Sequence, residues 1–253
     1  MRKVEQQSTL AEQRGANGPS HSPSQHGERE ASAALGGTAL RRDEQGLALV
    51  GDGIVLRGDF SQLLPRIRKG RLSSELLVRA AKVRDCAEPW AIDATAGLGE
   101  DSFLLAAAGF RVSMYESDPT VAALVRDALD RAQANPDLAD IACRMELFEE
   151  DSIEAMSHLG DTPDVIYLAP MFPERRKSAA VKKKFQLIHH LEAPCQNEGA
   201  LLAAAISAGP RKVVVKRPAK GPHLAGVKPS HSLAGKAVRY DVIIPASIKV
   251  PLA

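Results

Sequence analysis

Cysteine is scarce and scattered: Cys86, Cys143 and Cys195 form no CxxC pair, which argues against both a disulfide framework and a zinc site. Reduced, partly buried thiols are expected instead. No window approaches the about 18 consecutive apolar residues of a membrane span, and the polar first thirty residues hold no apolar core of a signal peptide. A cytoplasmic protein without membrane contact is expected. The seven histidines show no ligand spacing, His189 and His190 being adjacent and so unable to face one ion from a helix, and no metal is expected. What is present is ordinary globular material. The 253 residues are 44% hydrophobic and 25% charged, enough for one large domain, or a usual domain with an appendage, and far from a disordered or collagen-like chain.

The net charge of +2 hides a dipole. Residues 85–170 hold 18 Asp and Glu against 4 Lys and Arg, whereas residues 171–220 hold 11 Lys and Arg against 3 Asp and Glu. A polyanionic partner for the basic part is the physical implication.

Residues 1–40, rich in Ser, Gln, Gly and His, cannot bury enough apolar surface to offset the entropy of ordering, so a disordered tail is expected there. Residues 41–85 are expected to form a small N-terminal appendage. Within it, the apolar runs 47–50 and 54–56 flank a Gly51-Asp52-Gly53 turn and predict a hairpin, and a helix capped by Ser73 or Ser74 is predicted through about Val83. Between them lies the basic segment Arg66-Ile67-Arg68-Lys69-Gly70-Arg71.

Residues 86–253 alternate strands with helices. Strands are predicted at 90–92, 111–115, 144–148, 165–168, 213–215 and 237–244. Helices are predicted at 101–108, from Asp118-Pro119 to Asn135-Pro136, at 181–191 and at 201–208. This pattern predicts an α/β fold, a parallel sheet with helices on both faces.

The turn Asp93-Ala94-Thr95-Ala96-Gly97-Leu98-Gly99-Glu100-Asp101 falls where the first of these strands becomes the first helix, the place where open α/β sheets bind ligands. Its small residues admit a ligand to the backbone, and Glu116, 19 residues after Gly97, stands at the end of the next strand to accept from ribose hydroxyls. Ser102 occupies the third glycine position of a dinucleotide fingerprint, and Glu100 and Asp101 place negative charge where a pyrophosphate would dock. S-adenosylmethionine (SAM), with sulfonium and ammonium groups and no phosphate, suits a pocket rimmed by Asp93, Glu100, Asp101 and Glu116. Ala94, Gly97 and Gly99 give it room, and Asp151-Ser152 is a candidate for its adenine edge.

Leu168-Ala169-Pro170-Met171-Phe172-Pro173 resembles the D/N-P-P-Y/F motif of amino-group methyltransferases. Main-chain carbonyls at Ala169 and Pro170 are the candidate acceptors for a planar amine, and Phe172 is the candidate stacking ring. Arg175, Arg176, Lys177, Lys182, Lys183 and Lys184 put six cations just beyond, and Lys216 and Arg217 follow a later strand. Together with Arg66, Arg68, Lys69 and Arg71 they form a candidate phosphate-binding footprint.

Three longer stretches, DATAGLGEDSF at 93–103, YLAPMFPERRKSAAVKKK at 167–184 and KVVVKRP at 212–218, resemble the RsmJ family. These are bacterial methyltransferases that modify the exocyclic N2 amine of a guanine in small-subunit (16S) ribosomal RNA. The resemblance covers roughly residues 66–253. It implies a class I SAM-dependent methyltransferase fold, Rossmann-like, with a seven-stranded, mostly parallel sheet and one antiparallel strand near the C-terminus. It also implies SAM as donor and small-subunit RNA or the assembled 30S particle as partner. Cofactor positions carried over from the family fall on Glu100, Asp101, Glu116, Ser117, Asp151, Ser152 and Ala169. The chain departs from the family at Glu100, where Arg is usual, and at Ala169, where the family carries Asp. Three rivals stand against this reading: a non-catalytic RNA-binding relative that keeps the pocket, a methyltransferase for a small molecule or protein, and a nicotinamide-dependent oxidoreductase. Ser102 and the acidic turn oppose the last.

Overall fold

The computed structural model describes residues 38–51, 53–171 and 197–247. The predicted helix over 181–191, Cys195 and the sequence before residue 38 lie outside them.

The chain first forms a three-stranded antiparallel sheet, β1 (Thr38–Asp43), β2 (Gly46–Gly51) and β3 (Ile54–Leu56). The predicted hairpin is β2–β3, with Val50 opposite Val55. β1 is an addition, and residues 38–40 belong to it rather than to the polar tail. Its outer half, Arg41 to Asp43, is exposed, so no apolar alternation announced a strand. Leu49 and Leu56 close on Leu124 of a later helix, while Arg42 and Arg131 both reach the buried Asp127, at 2.6 and 2.8 Å.

After β3 come helix α1 (Leu64–Ile67) and helix α2 (Leu76–Ala81). The expected start of α2 at Ser73 or Ser74 is not observed. Both hydroxyls instead donate backward, to the carbonyls of Gly70 and Arg71, closing a separate 3-10 turn, and α2 begins only after Glu75. It also ends at Ala81, two residues short of the predicted limit.

The main sheet contains β4 (Trp90–Asp93), β5 (Arg111–Tyr115), β6 (Met145–Phe148), β7 (Val165–Leu168), β8 (Lys212–Pro218), β9 (His231–Ala234) and β10 (Val238–Ile243). Their order is β6-β5-β4-β7-β8-β10-β9. The first five run parallel, and β10 runs against both β8 and β9. β9 has no counterpart among the strands read from the residues, because this edge strand is largely exposed and lacks a buried periodicity.

Among the described residues five further helices follow: α3 (Glu100–Ala107), α4 (Pro119–Gln133), α5 (Ala139–Ala142), α6 (Ser152–Ser157) and α7 (Glu198–Ser207). Asp118 caps α4 as predicted, accepting from the N–H groups of Thr120 and Val121, a contact worth about 1 kcal/mol. Strand β7, Val-Ile-Tyr-Leu, is buried at every position because both faces are covered. Tyr167 and Val214 face a core shared with α2, α3 and α4, whereas Ile166, Leu168, Val213 and Val215 face α6 and α7. Among the described residues no helix is long and apolar enough to cross a membrane.

Candidate active site

The chain runs outward from β4 through β5 to β6 and then returns to β7, so the connections diverge on either side of β4. At the carboxyl ends of these strands lies a cleft of about 450 Å³. Ala94, Thr95 and Gly97 line it after β4, Tyr115, Glu116, Ser117 and Asp118 at the end of β5, Glu150 to Ile153 after β6, and Ala169 to Met171 after β7. This is where the topology of an open α/β sheet opens a crevice.

Asp93 stands behind this wall rather than on its rim, a correction to the sequence reading. It is 1% exposed. Its carboxylate accepts from the Thr95 N–H at 3.1 Å and the Ser102 hydroxyl at 2.6 Å, which folds the turn. Burial pushes its pKa up to about 7 despite both hydrogen bonds. Gly97 and Gly99 take φ of +52° and +75°. A β-carbon at Gly99 would also lie 3.2 Å from the ring of Phe60, which stacks on Phe103 at 5.1 Å. The appendage thus supports the glycine turn from behind.

Glu116 faces the cleft with its carboxylate bracketed by backbone. Gly97 N–H donates to one oxygen at 3.0 Å and Asp118 N–H to the other at 2.9 Å. Burial raises its pKa, opposed by those same hydrogen bonds. Each oxygen keeps a lone pair, the requirement for accepting from a vicinal diol. Tyr115 stacks on Phe148 at 5.1 Å and, with Ile153 and Leu201, gives the cleft an apolar side. Asp151 caps α6 through the N–H groups of Ile153 and Glu154, which fixes the position of Ser152 beside it.

The loop after β7 is tied to the turn after β4, since Thr95 Oγ1 accepts from the Ala169 N–H at 2.6 Å. Ala169 and Pro170 are thereby brought onto the cleft wall. Thr95, Tyr115 and Tyr167 were missed as functional candidates. A hydroxyl among the small residues of the turn, and phenols closing or interrupting apolar strands, were the available signals.

Glu100 is exposed in the first turn of α3, and neither it nor Asp101 is among the residues that line the cleft, a second correction to the expected rim. Asp101 beside it accepts on one oxygen, Oδ2, from Tyr167 at 2.6 Å and from Lys216 at 2.5 Å.

The expected phosphate footprint separates into parts. Arg68, Lys69 and Arg71 are exposed. Arg66 is bidentate on Glu75, both contacts at 2.8 Å. Arg217 is corrected outright: its side chain is 2% exposed, paired with Glu198 at 2.9 Å and bonded to the Pro222 carbonyl, where no phosphate reaches it. Phe172, Arg175, Arg176, Lys177, Lys182, Lys183 and Lys184 lie outside the described residues.

Among the described residues the cleft is lined by four carboxylates, those of Glu116, Asp118, Glu150 and Asp151, and by no Lys or Arg. Such a wall repels phosphate and attracts a sulfonium or ammonium group. With the strand order and the single reversed strand, it defines a class I SAM-dependent methyltransferase. A family described as putative SAM-dependent methyltransferase matches residues 38–245. Ribosomal RNA small subunit methyltransferase J of Neisseria meningitidis serogroup C (strain 053442) is 43% identical over 206 residues, spanning 80% of this chain and 82% of that protein. Its namesake in Stutzerimonas stutzeri (strain A1501) is 47% identical over 171 residues, 67% and 66% of the two chains. The crystal structure of a SAM-dependent methyltransferase from Neisseria gonorrhoeae superposes with a TM-score of 0.70 at 33% identity, covering 88% of this chain and 89% of that one. The chain belongs to the ribosomal RNA small subunit methyltransferase J family, and its cofactor is S-adenosylmethionine.

Proposed function

We propose that the chain methylates the exocyclic N2 amine of a guanine in small-subunit (16S) ribosomal RNA, free or in the assembled 30S particle, in the cytoplasm. The observation that supports this best is that Glu116 and the Ala169–Pro170 segment face one acidic cleft, joining a nucleoside-holding carboxylate to an amine-accepting loop.

The cofactor supplies a methyl group already activated on a cationic sulfur. The task left to the protein is to bind, orient and exclude water. Glu116 accepts from the ribose hydroxyls, Ser117 lies beside it, and Asp151 and Ser152 hold the adenine end. Ala94, Gly97 and Gly99 allow close approach, while Glu100 and Asp101 serve the amino-acid end. Carbonyls of Ala169 and Pro170 accept from the guanine amine and aim its lone pair at the methyl carbon. Phe172, which follows Met171, is proposed to stack on the base. The attack is direct, without a covalent enzyme intermediate, and the nitrogen then releases a proton to solvent. Orientation and desolvation supply most of the rate.

In this reading residues 41–85 present Arg68, Lys69 and Arg71 to RNA phosphates, the run 175–184 adds its cations, and residues 86–253 perform the chemistry. The test is transfer of labelled methyl from SAM to unmodified small subunits or to their RNA, with the label recovered in N2-methylguanine. No transfer to any such preparation by a protein that binds the cofactor overturns the assignment.

A further inference from the structure

Lys216 belongs by sequence to a basic pair, yet the structure gives it a different partner from the phosphate expected of it. Its ammonium lies 2.5 Å from Asp101 Oδ2, and the two side chains are 31% and 16% exposed. The Tyr167 hydroxyl donates to the same oxygen at 2.6 Å from a fully buried ring. Two donors from adjacent strands, β7 and β8, thus converge on one oxygen of a carboxylate carried by the first turn of α3. Among the described residues the other oxygen, Oδ1, accepts no hydrogen bond.

The surroundings make this arrangement necessary. Asp101 acts electrostatically on Asp93, Glu75 and the hydroxyls of Tyr167 and Tyr240, so several groups that are negative when ionised crowd one end of the sheet. Arg66 also feels Asp101, but it makes its two hydrogen bonds among the described residues to Glu75. Among the described residues Lys216 is therefore the cation in hydrogen-bond contact with Asp101. Without it one of the two donors that hold the Asp101 carboxylate is gone, and the Tyr167 hydroxyl alone restrains its rotation. A clamped carboxylate with one open oxygen is a preorganised receptor for an ammonium group.

We infer that Lys216 is a positioning residue: with Tyr167 it fixes the Asp101 carboxylate so that Oδ1 receives the cationic amino-acid end of the cofactor, and it is not a contact to RNA phosphate. This rests on the cofactor-binding role proposed for Asp101.

The test is calorimetric titration of the full chain with S-adenosylhomocysteine, which keeps the ammonium group, beside a polarisation titration with a fragment of small-subunit RNA. Lys216→Met and Asp101→Asn are each expected to raise the Kd for S-adenosylhomocysteine about tenfold, the loss of one charge-assisted hydrogen bond. The double variant should be no weaker than the weaker single, because both changes break one contact. Lys216→Arg should recover most of the affinity, and the RNA Kd should change less than twofold throughout. Should Lys216→Met fold poorly, Tyr167→Phe removes the other donor and is expected to weaken S-adenosylhomocysteine about threefold with RNA binding kept. Unchanged S-adenosylhomocysteine affinity in folded Lys216 and Tyr167 variants, fully multiplicative losses in the double, or a loss confined to RNA each overturns the inference. A wild-type chain that binds RNA but no S-adenosylhomocysteine overturns the proposed function along with it, and so separates the two failures.

Discussion

Thr95 Oγ1 accepts the Ala169 N–H at 2.6 Å, joining the glycine turn after β4 to the loop after β7. In the proposed reaction this one side chain sets the spacing of the methyl-donor and amine-acceptor sites. Thr95→Val keeps the shape and deletes the acceptor, leaving a half-buried N–H unpaired at a cost of about 1–3 kcal/mol. The expected result is a melting point lower by about 2–8 °C and a kcat lowered about tenfold or more, with the KM for SAM changed far less. Thr95→Ser should restore both. Equal losses in kcat and in cofactor affinity would show instead that the whole turn had collapsed.

Ala169 replaces the carboxylate that the resemblance leads one to expect, and the structure places it on the cleft wall with its N–H occupied by Thr95. Carbonyl oxygens alone are weaker acceptors for an amine that becomes positive during attack. Ala169→Asp is therefore expected to raise kcat for methyl transfer on the order of 10²-fold. A single-turnover assay on unmodified small subunits measures this directly. No increase would mean that the carbonyls of residues 169–170 already suffice.

The doubly covered strands β7 and β8, the cap at Asp118 and the ligand turn were legible because burial, helix capping and tight turns each leave a local imprint. The turn of residues 93–101 and Glu116 were found for that reason. The partners of charged residues were not legible. Asp93, Lys216 and Arg217 carry ordinary polar signatures, and only the register of β4, β7 and β8 decides that Asp93 goes under the turn, Lys216 to Asp101 and Arg217 inward to Glu198. Phe60 was overlooked for the same reason, since its stacking on Phe103 joins elements 43 residues apart in sequence.

Gly99 and Phe60 make a matched pair. Gly99→Ala meets both a left-handed φ and a ring 3.2 Å from the new methyl, so a loss of about 1–3 kcal/mol in stability is expected. Phe60→Ala empties the space behind the turn and is expected to cost about 3–5 kcal/mol. Denaturant unfolding of the double variant should give less than the sum of the two losses, because the removed ring was what the added methyl struck. Strict additivity would show that the backbone angle alone excludes a side chain at Gly99.

Asp93 offers a pH test of the buried turn. The carboxyl titrates near 3.8 when unfolded and at about 7 in the fold, so between those values the folded chain holds a proton that the unfolded chain has lost. Stability from this group is fullest below about pH 4, falls as pH rises, and is lost by about pH 7, with a slope of up to about 1.4 kcal/mol per pH unit. Asp93→Asn keeps an acceptor for the Thr95 N–H and a polar partner for Ser102 but cannot ionise. Its melting point should therefore gain on the wild type steadily from pH 4 to 7 and hold a constant difference above. Other titrating groups cancel in the comparison because both proteins share them. Parallel melting-point profiles across that range would mean that Asp93 is ionised in the fold at the same pH as in water, and that the hydrogen bonds from Ser102 and Thr95 fully offset its burial.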